Sequence, residues 1–350
     1  MQRHTDGDIV KLEPTISASR EQEGRETGNF CLFGAKALTT LLNKLSAQTE
    51  GVRDFGAGKT RGGSGDIEYL HRMRVFARRL LVALQLFREC LRADKSGYRR
   101  CRRAIRRLAR SLGEARDTDV QIAAIVRELE EAPPKDAAGL KRFLLRLRQK
   151  RASLQKSVIR ALDFFTESEA EREILSSVRL IAGQAFIDGL CAQNEKQGPG
   201  GMAIAVVKES IAHVMGFGAP LPASSDTVQL HEMRKSLKRL RYTLEIFAPA
   251  YGDKLKNHIG EIKSLQDVLG TLHDCDIWLA NLPLFIEEER EKTLAFQGHA
   301  RGLERVLRGL RNFADRKTQI RNGAYASFTE MWEKFRTERR WEEILKDMET

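Results

Sequence analysis

The clearest structural signal in this chain is the stretch Leu70–Leu91, LHRMRVFARRLLVALQLFRECL. Apolar residues recur along it at alternating spacings of three and four positions: Leu70, Met73, Ala77, Leu80, Leu84, Phe87 and Leu91. This spacing gathers them into one stripe on a helix of about 3.6 residues per turn. The stretch therefore predicts a long helix that buries one face in a helical core.

The segment Leu70–Arg110 is also strongly basic. It holds fourteen Lys and Arg residues against Glu89 and Asp94, a surplus of twelve that equals the net charge of the 350-residue chain, +12. The rest of the chain is therefore roughly balanced. A local surplus of this kind indicates a polyanionic partner, which leaves nucleic acid, an anionic membrane and polymeric phosphate as candidates.

Helical patterning is predicted to begin near Phe30, after a polar and aperiodic segment, residues 1–29, that we expect to be a disordered tail. The helices predicted beyond Leu91 run from Tyr98 to about Gly113, from Arg116-Asp117 to the residues before Pro133, from Asp136 to Phe165, and from Ser168 to Gln193. Residues 51–66 are predicted to form a mobile loop. They contain Gly56-Ala57-Gly58-Lys59-Thr60, but Arg53 stands where a phosphate-binding loop needs its first Gly.

The pattern repeats after a linker at residues 194–201. The apolar stripe recurs 160 residues later, at Leu230, Met233, Leu237, Leu240, Leu244, Phe247 and Tyr251, and His231 then falls on His71. A second matching set is displaced by 157 residues, with Ile262, Leu265, Leu269, Gly270, Asp274 and Asp276 falling on Ile105, Leu108, Leu112, Gly113, Asp117 and Asp119. The chain is therefore predicted to be an internal duplication, residues 30–193 and 202–345. Each half is expected to form a bundle of about four helices, related by a pseudo-two-fold axis.

The basic residues on one flank of the stripe are candidates for binding an anion. His71, Arg74 and Arg78 lie within about 60° of one another on the helical wheel, with the stripe about 130° away. A solvated charged face is the alternative explanation, but such a face needs no repeated register, and acidic partners along these helices are scarce. The predicted binding residues are His71, Arg74, Arg78, Arg79, Arg99, Arg102, Arg106, His231, Arg234, Lys238, Arg239, Lys256 and Lys263. We expect the histidines beside arginines to lose their protons easily.

The run from His71 to Leu80, followed by LARSLGEARDTDV at Leu108–Val120, resembles the CHAD family, as do the second-half runs Leu230–Tyr242 and Leu265–Asp274. The resemblance covers roughly residues 30–345. It implies an all-α fold of two four-helix bundles around a basic central groove that binds inorganic polyphosphate without catalysis. Some members associate with polyphosphate granules, which would make polyphosphate-metabolising proteins its neighbours.

Two features of the chain bear on that resemblance. Many members carry a CYTH triphosphate-processing domain, for which the residues before the first motif are too few. His273 stands where the family often has Asn, and Arg116 matches it in the first half.

Two other functions compete with polyphosphate binding. Nucleic-acid binding would use the same charge, but aromatic residues make up only 7% of the chain, and no nucleic-acid recognition motif is present. A metal-dependent phosphohydrolase is suggested by His231 with His273-Asp274, although cations nearby would repel a metal ion. We expect Asp117, Asp119, Asp274 and Asp276 to be helix caps and partners of buried arginines instead. No metal, cofactor or catalytic residue is predicted.

The cysteines and the hydropathy pattern favour a cytoplasmic protein. The five cysteines are odd in number and never at C-x-x-C spacing, so neither a disulfide framework nor a zinc site is expected. The first thirty residues contain no apolar signal-peptide core. No apolar run reaches the roughly 18 residues that a membrane span needs.

Overall fold

A computed structural model of the protein describes residues 13–56, 65–187, 199–217 and 221–349. Within these ranges the chain is helical and contains no strand, which confirms the all-α prediction. The helices are α1 (Glu13–Ser46), α2 (Thr49–Gly56), α3 (Gly65–Leu86), α4 (Lys95–Glu131), α5 (Ala137–Glu167), α6 (Ala170–Ile187), α7 (Gly200–Met215), α8 (Thr227–Tyr251), α9 (Lys254–Gln297), α10 (Leu303–Thr337) and α11 (Arg340–Glu349). A short 3-10 helix, Glu89–Asp94, joins α3 to α4. None of the described helices is long and apolar enough to cross a bilayer.

The apolar stripes bury the helices in a shared core. In the first half α1, α3, α4 and α6 pack together, and in the second half α7, α8, α9, α10 and α11 do so. The α3 stripe is fully buried at Leu70, Met73 and Leu80, and the α8 stripe at Met233 and Leu237. Because α3 also contacts α8 and α1 contacts α7, the buried residues of both halves form one continuous cluster.

A second core lies where two long helical hairpins meet. The α4–α5 and α9–α10 hairpins pack against each other through α5 and α10. Aromatic rings fill this core: Phe143 lies 5.8 Å from Trp278, and Trp278 lies 5.2 Å from Phe313, measured between ring centroids. The hairpins therefore hold the two halves together at a place separate from the contact between α3 and α8.

The contact between α5 and α10 is reciprocal. A Cβ atom added at Gly139 would overlap the carbonyl oxygen of Val306, and one added at Gly309 would overlap the carbonyl oxygen of Asp136. Gly309 follows Gly139 by 170 residues, and Val306 follows Asp136 by the same interval. A two-fold relation between the halves would produce mutual contacts of this kind, and the duplication itself stays a prediction.

Several predicted helix boundaries differ from the structure. Helix α4 continues through Gly113 and Asp117 without the predicted break, because its buried face there packs in the core and outweighs the roughly 1 kcal/mol that an interior glycine costs. Helix α1 begins at Glu13, so the predicted tail is helical from that residue. Extending an existing helix is easier than nucleating one, and the packed part of α1 from Phe30 supplies the nucleus. Residues 1–12 lie outside the described residues.

The loops are also partly revised. The first six residues of the predicted 51–66 loop belong to α2, where Val52 is buried against the core. Most of the phosphate-loop-like motif, residues 57–60, lies outside the described residues, as do residues 188–198 at the end of the predicted sixth helix and in the linker.

The expectation that no disulfide forms is wrong. Cys31 of α1 is bonded to Cys90 in the 3-10 helix, across 59 positions of sequence. The aromatic rings of Phe30 and Phe87 lie 4.9 Å apart beside this bond. Core packing therefore brings the two cysteines together, and no local spacing motif could reveal the pair. The bond also removes the argument from cysteine usage to a reducing compartment.

Candidate functional site

Helices α3 and α8 lie side by side and present basic residues to each other. We use the name central basic cluster for six residues from the two helices: His71, Arg74, Arg78, His231, Arg234 and Lys238. Each helix contributes a histidine, an arginine three positions later and a second cation four positions after that. The six residues lie close enough to perturb one another, as the pKa shifts below show.

Lys238 is the most perturbed cation of the cluster. Its pKa is lowered to about 6, first by burial and then by the nearby charges of Arg78 and Arg74. The pKa of Arg78 is also lowered, again by burial first and by Arg74 next. Like charges that approach each other in a poorly solvated place raise the free energy of the charged forms. Burial and mutual repulsion therefore raise the free energy of the charged cluster, and a bound anion would lower it.

The histidines of the cluster lose their protons more readily than a solvated histidine. Burial is the largest cause of the lowered pKa of His71, followed by the charge of Arg116. Burial likewise lowers the pKa of His231. The predicted direction is confirmed, but burial contributes more than the arginines do. Each histidine is therefore a hydrogen-bonding group at neutral pH rather than a fixed charge.

His273 of α9 extends the site beyond the predicted residues. Its ring stacks on that of His231, with centroids 4.3 Å apart and planes 29° from parallel. Burial and the neighbouring His231 lower the pKa of His273 to about 4. Arg116 occupies the matching position in the first half and perturbs His71. The repeat register paired Arg116 with His273, which was the available sequence signal for including both.

Two glycines lie beneath the arginines of the cluster. A Cβ atom added at Gly113 of α4 would lie 3.8 Å from Arg78 Nη2 and 3.9 Å from Arg74 Nε. A Cβ atom added at Gly270 of α9 would lie 3.7 Å from both Nε and Nη2 of Arg234. The repeated glycines and arginines therefore occupy corresponding places in the two halves.

Four of the buried polar atoms without a hydrogen-bond partner lie at matching positions in the two halves. They are the Nδ1 atoms of His71 and His231 and the Nε atoms of Arg74 and Arg234. Most buried polar atoms in proteins are hydrogen-bonded, because an unpaired one costs free energy. The same atoms are unpaired at both copies of the motif, so a ligand that accepts hydrogen bonds could satisfy both copies in the same way.

The carboxylates near the cluster only partly balance its charge. Arg74 donates to Asp117 at 3.0 Å, but the Asp117 side chain is 65% exposed. Asp274 faces Arg234 from α9 and remains in contact with solvent, and desolvation raises its pKa. Within the described residues, no carboxylate lies within ion-pair distance of Arg78, Arg234 or Lys238.

The other aspartates of the repeated motif are structural. Asp119 accepts from Arg151 at 2.7 Å, and Asp276 accepts from Arg321, all four side chains being largely buried. The expectation that these aspartates partner buried arginines is confirmed. The expectation of helix caps is wrong, because Asp119 lies inside α4 and Asp276 inside α9, away from the helix ends.

The remaining predicted residues lie around the cluster rather than in it. Arg79 forms an ion pair with Glu245 at 2.6 Å. Arg239 is exposed and lines a separate cavity of about 470 Å³ with Glu209 and His213 of α7. The others lie on the faces of α4 and α9 that carry Gly113 and Gly270, within about 40° of each glycine. They are Arg99, Arg102 and Arg106 on α4, and Lys256 and Lys263 on α9, all exposed except the half-buried Arg102.

Tyr242 was not predicted and lies at the centre of the cations. It is 4% exposed, and Lys238 Nζ, Arg241 Cζ and Arg79 Cζ lie 5.9, 4.9 and 5.8 Å from its ring centroid. Cations over an aromatic face are attracted by its quadrupole, which partly offsets their repulsion. No sequence signal distinguishes Tyr242 from an ordinary core residue.

No group of three or more His, Cys, Asp or Glu side chains in the described part of the chain is arranged to hold a metal ion. His231 and His273 face each other ring to ring, an arrangement that does not direct two nitrogen lone pairs at one point.

Comparisons with known proteins agree with this architecture. The family model of the CHAD domain matches residues 36–283. No curated protein matches the chain. The solved CHAD domain from the plant Ricinus communis is similar at a TM-score of 0.53 with 22% identity, over 79% of this chain and 91% of that chain. PptA from Streptomyces chartreusis is similar at a TM-score of 0.55 with 15% identity, over 84% of this chain and 98% of that chain. At these identities the likeness shows a shared fold.

Proposed function

Because the chain belongs to the CHAD domain family, whose members in general bind polyphosphate, we propose that it binds inorganic polyphosphate at the central basic cluster. The binding is non-catalytic. The observation that carries the proposal is the approach of Arg78, Arg234 and Lys238 to one another without ion-pair partners among the described residues. A polyanion seated between α3 and α8 would relieve that repulsion.

Phosphate oxygens match the hydrogen-bonding groups of the cluster. The Nε atoms of Arg74 and Arg234 are buried and unpaired, and guanidinium groups bind phosphate through parallel charge-assisted hydrogen bonds. The exposed cations that follow along α4 and α9 would guide a longer chain into and out of a groove centred on the cluster. The affinity would depend steeply on salt, because bound phosphates displace counterions.

The corresponding placement of the two motifs favours polyphosphate over a nucleic-acid strand. A linear polyphosphate has no direction, so its two halves can meet two equivalent half-sites in the same way. A nucleic-acid strand has direction and would present different groups to each half-site. Base stacking is also disfavoured at the centre of the cluster, because the ring of Tyr242 is only 4% exposed.

The proposal includes a location at polyphosphate granules, where polyphosphate-metabolising proteins would be neighbours of this chain. Recruitment to a granule requires binding alone, and binding is what the cluster is suited to do.

A competition titration tests the proposal. Long-chain polyphosphate labelled at one end is titrated with the protein at low and moderate salt, and single-stranded DNA of equal charge is added as competitor. We expect polyphosphate to be retained and the affinity to fall with salt. Equal or preferential binding of DNA would favour the nucleic-acid alternative, and release of orthophosphate during the titration would favour a hydrolase.

A further inference from the structure

We propose that Lys238 takes up a proton when polyphosphate binds, so that the affinity of the central basic cluster rises as the pH falls. This inference rests on the proposed function and adds a pH response to it. The two halves of the site differ in one of their cations: the position that is Arg78 in the first half is Lys238 in the second.

The difference matters because the two cations titrate differently. A guanidinium stays protonated at any physiological pH, whereas a buried ammonium can lose its proton. Lys238 is half-buried and has no carboxylate within ion-pair distance among the described residues. The first half of the site therefore holds a permanent positive charge, and the charge in the second half depends on whether Lys238 is protonated.

Cations surround Lys238 on every side that faces the cluster. Helix α3 contributes His71, Arg74, Arg78 and Arg79. Helix α8 itself contributes Arg234 and Arg241 together with the ring of Tyr242. Helix α9 contributes His273 and Asp274. Helix α4 contributes Asp117, which is held by Arg74. Helix α7 packs on the other flank of α8, where Glu209 and His213 line a cavity with Arg239. Among the described residues, the nearby carboxylates are engaged or perturbed: Asp117 pairs with Arg74, Glu245 pairs with Arg79 and Arg241, and the pKa of Asp274 is raised by burial.

In the free protein this environment keeps Lys238 neutral near pH 7, since its pKa is lowered to about 6. Bound phosphate oxygens would place negative charge beside the amine and raise its pKa again. The amine would then take a proton from solvent and become an ammonium that hydrogen-bonds the ligand. Linkage requires the affinity to change by up to about tenfold per pH unit between the free and the bound pKa.

Two substitutions separate this effect from other pH dependences. Lys238→Arg fixes the positive charge, and Lys238→Met fixes a neutral side chain of similar length. The charge at position 238 also lowers the pKa of His71, so the Arg and Met variants shift His71 in opposite directions, whereas both lack the proton uptake of Lys238 itself. Arg78→Lys is the reciprocal control, because it places a second titratable amine in the cluster.

The experiment is calorimetric titration of polyphosphate into each protein, in two non-phosphate buffers that differ in ionisation enthalpy, which counts the protons taken up. At about pH 7.5 we expect the wild type to take up as much as one proton more than either Lys238 variant, and Arg78→Lys to take up more than the wild type. Lys238→Arg should bind like the wild type near pH 6 and progressively tighter above it, by up to about tenfold per unit. Equal proton uptake in the wild type and both Lys238 variants would overturn the inference while leaving polyphosphate binding intact. Failure of the wild type to bind would instead overturn the proposed function.

Discussion

Replacing Gly139 or Gly309 by alanine should destabilise the protein, because each glycine sits where α5 and α10 cross. An alanine Cβ at either position would lie closer than 3.0 Å to a backbone carbonyl oxygen of the other helix, and at Gly139 also 3.1 Å from Leu310 Cγ. Backbone atoms cannot rotate away as a flexible side chain can. The two helices must therefore separate, and the second aromatic core between the hairpins must loosen with them.

The magnitude follows from two opposing effects. Overpacking of a well-packed contact costs about 1–3 kcal/mol, occasionally more. Alanine regains up to about 1 kcal/mol of helix propensity relative to glycine. Because the clash is with backbone atoms, the upper end of the overpacking cost applies, and each variant should lose about 2 kcal/mol of unfolding free energy. Because one separation of the helices relieves both clashes, the double variant should lose less than the sum of the two single losses.

The assay is urea denaturation followed by far-UV circular dichroism, with Gly323→Ala as the matched control. Gly323 also lies in α10, but nothing lies within 4 Å of a Cβ added there. This control should gain up to about 1 kcal/mol. If Gly139→Ala and Gly309→Ala were as stable as Gly323→Ala, the close reciprocal crossing of α5 and α10 would be refuted.

Three further predictions concern charge, pH and the disulfide. Asp119→Ala should lower the unfolding free energy by about 3–5 kcal/mol, because it removes the carboxylate that balances the buried charge of Arg151, and polyphosphate affinity should stay unchanged in the same preparation. Lys238→Met should stabilise the ligand-free protein increasingly as the pH falls from about 10.5 to about 6, by up to about 1.4 kcal/mol per pH unit, because over that range the unfolded chain binds a proton that folded Lys238 rejects. Cys31→Ser should lower the unfolding free energy by about 2–4 kcal/mol under oxidising conditions, and non-reducing peptide mapping of the wild type should recover Cys31 linked to Cys90.

Each of these predictions has an internal check. Glu288→Ala breaks an exposed pair with Lys292 and should change stability by less than about 1 kcal/mol. A gain from Lys238→Met that is the same at every pH would mean that the folded protein does not depress the pKa of Lys238. Reductant should remove the stability difference between Cys31→Ser and the wild type, and its persistence would indicate a packing effect of the serine.

The spacing of the apolar residues and its repeat along the chain predicted most of the fold. The predicted stripes on α3 and α8 are buried except for the partly buried Tyr251 at the end of α8, since hydrophobic spacing reports directly on which face of a helix meets the core. The same spacing placed His71, Arg74 and Arg78 on one flank, and α8 lies beside that flank. Periodicity is a property of one helix, so it could not show which helix would be the neighbour.

The features that the sequence did not reveal depend on contacts between distant segments. Gly113 looked like a helix end, but tertiary packing carries α4 through it. The bond between Cys31 and Cys90 and the ion pair of Arg79 with Glu245 each join residues on different elements. A helical wheel separates exposed from buried faces, and it contains no information about such partners.

The central claim is tested most directly by removing the cluster's charge and measuring polyphosphate affinity at constant salt. The test variant carries alanine at Arg74, Arg78, Arg234 and Lys238. The control variant carries alanine at four exposed cations of α5, a helix that contributes nothing to the cluster: Lys141, Arg148, Lys150 and Lys156. Both lose four basic side chains, and circular dichroism checks that both are folded. Since a hydrogen bond to a charged group contributes about 1.5–3 kcal/mol, we expect the test variant to bind at least about 100-fold more weakly and the control to stay within about threefold of the wild type. Equal losses in the two variants, or wild-type affinity in the test variant, would contradict a polyphosphate site between α3 and α8.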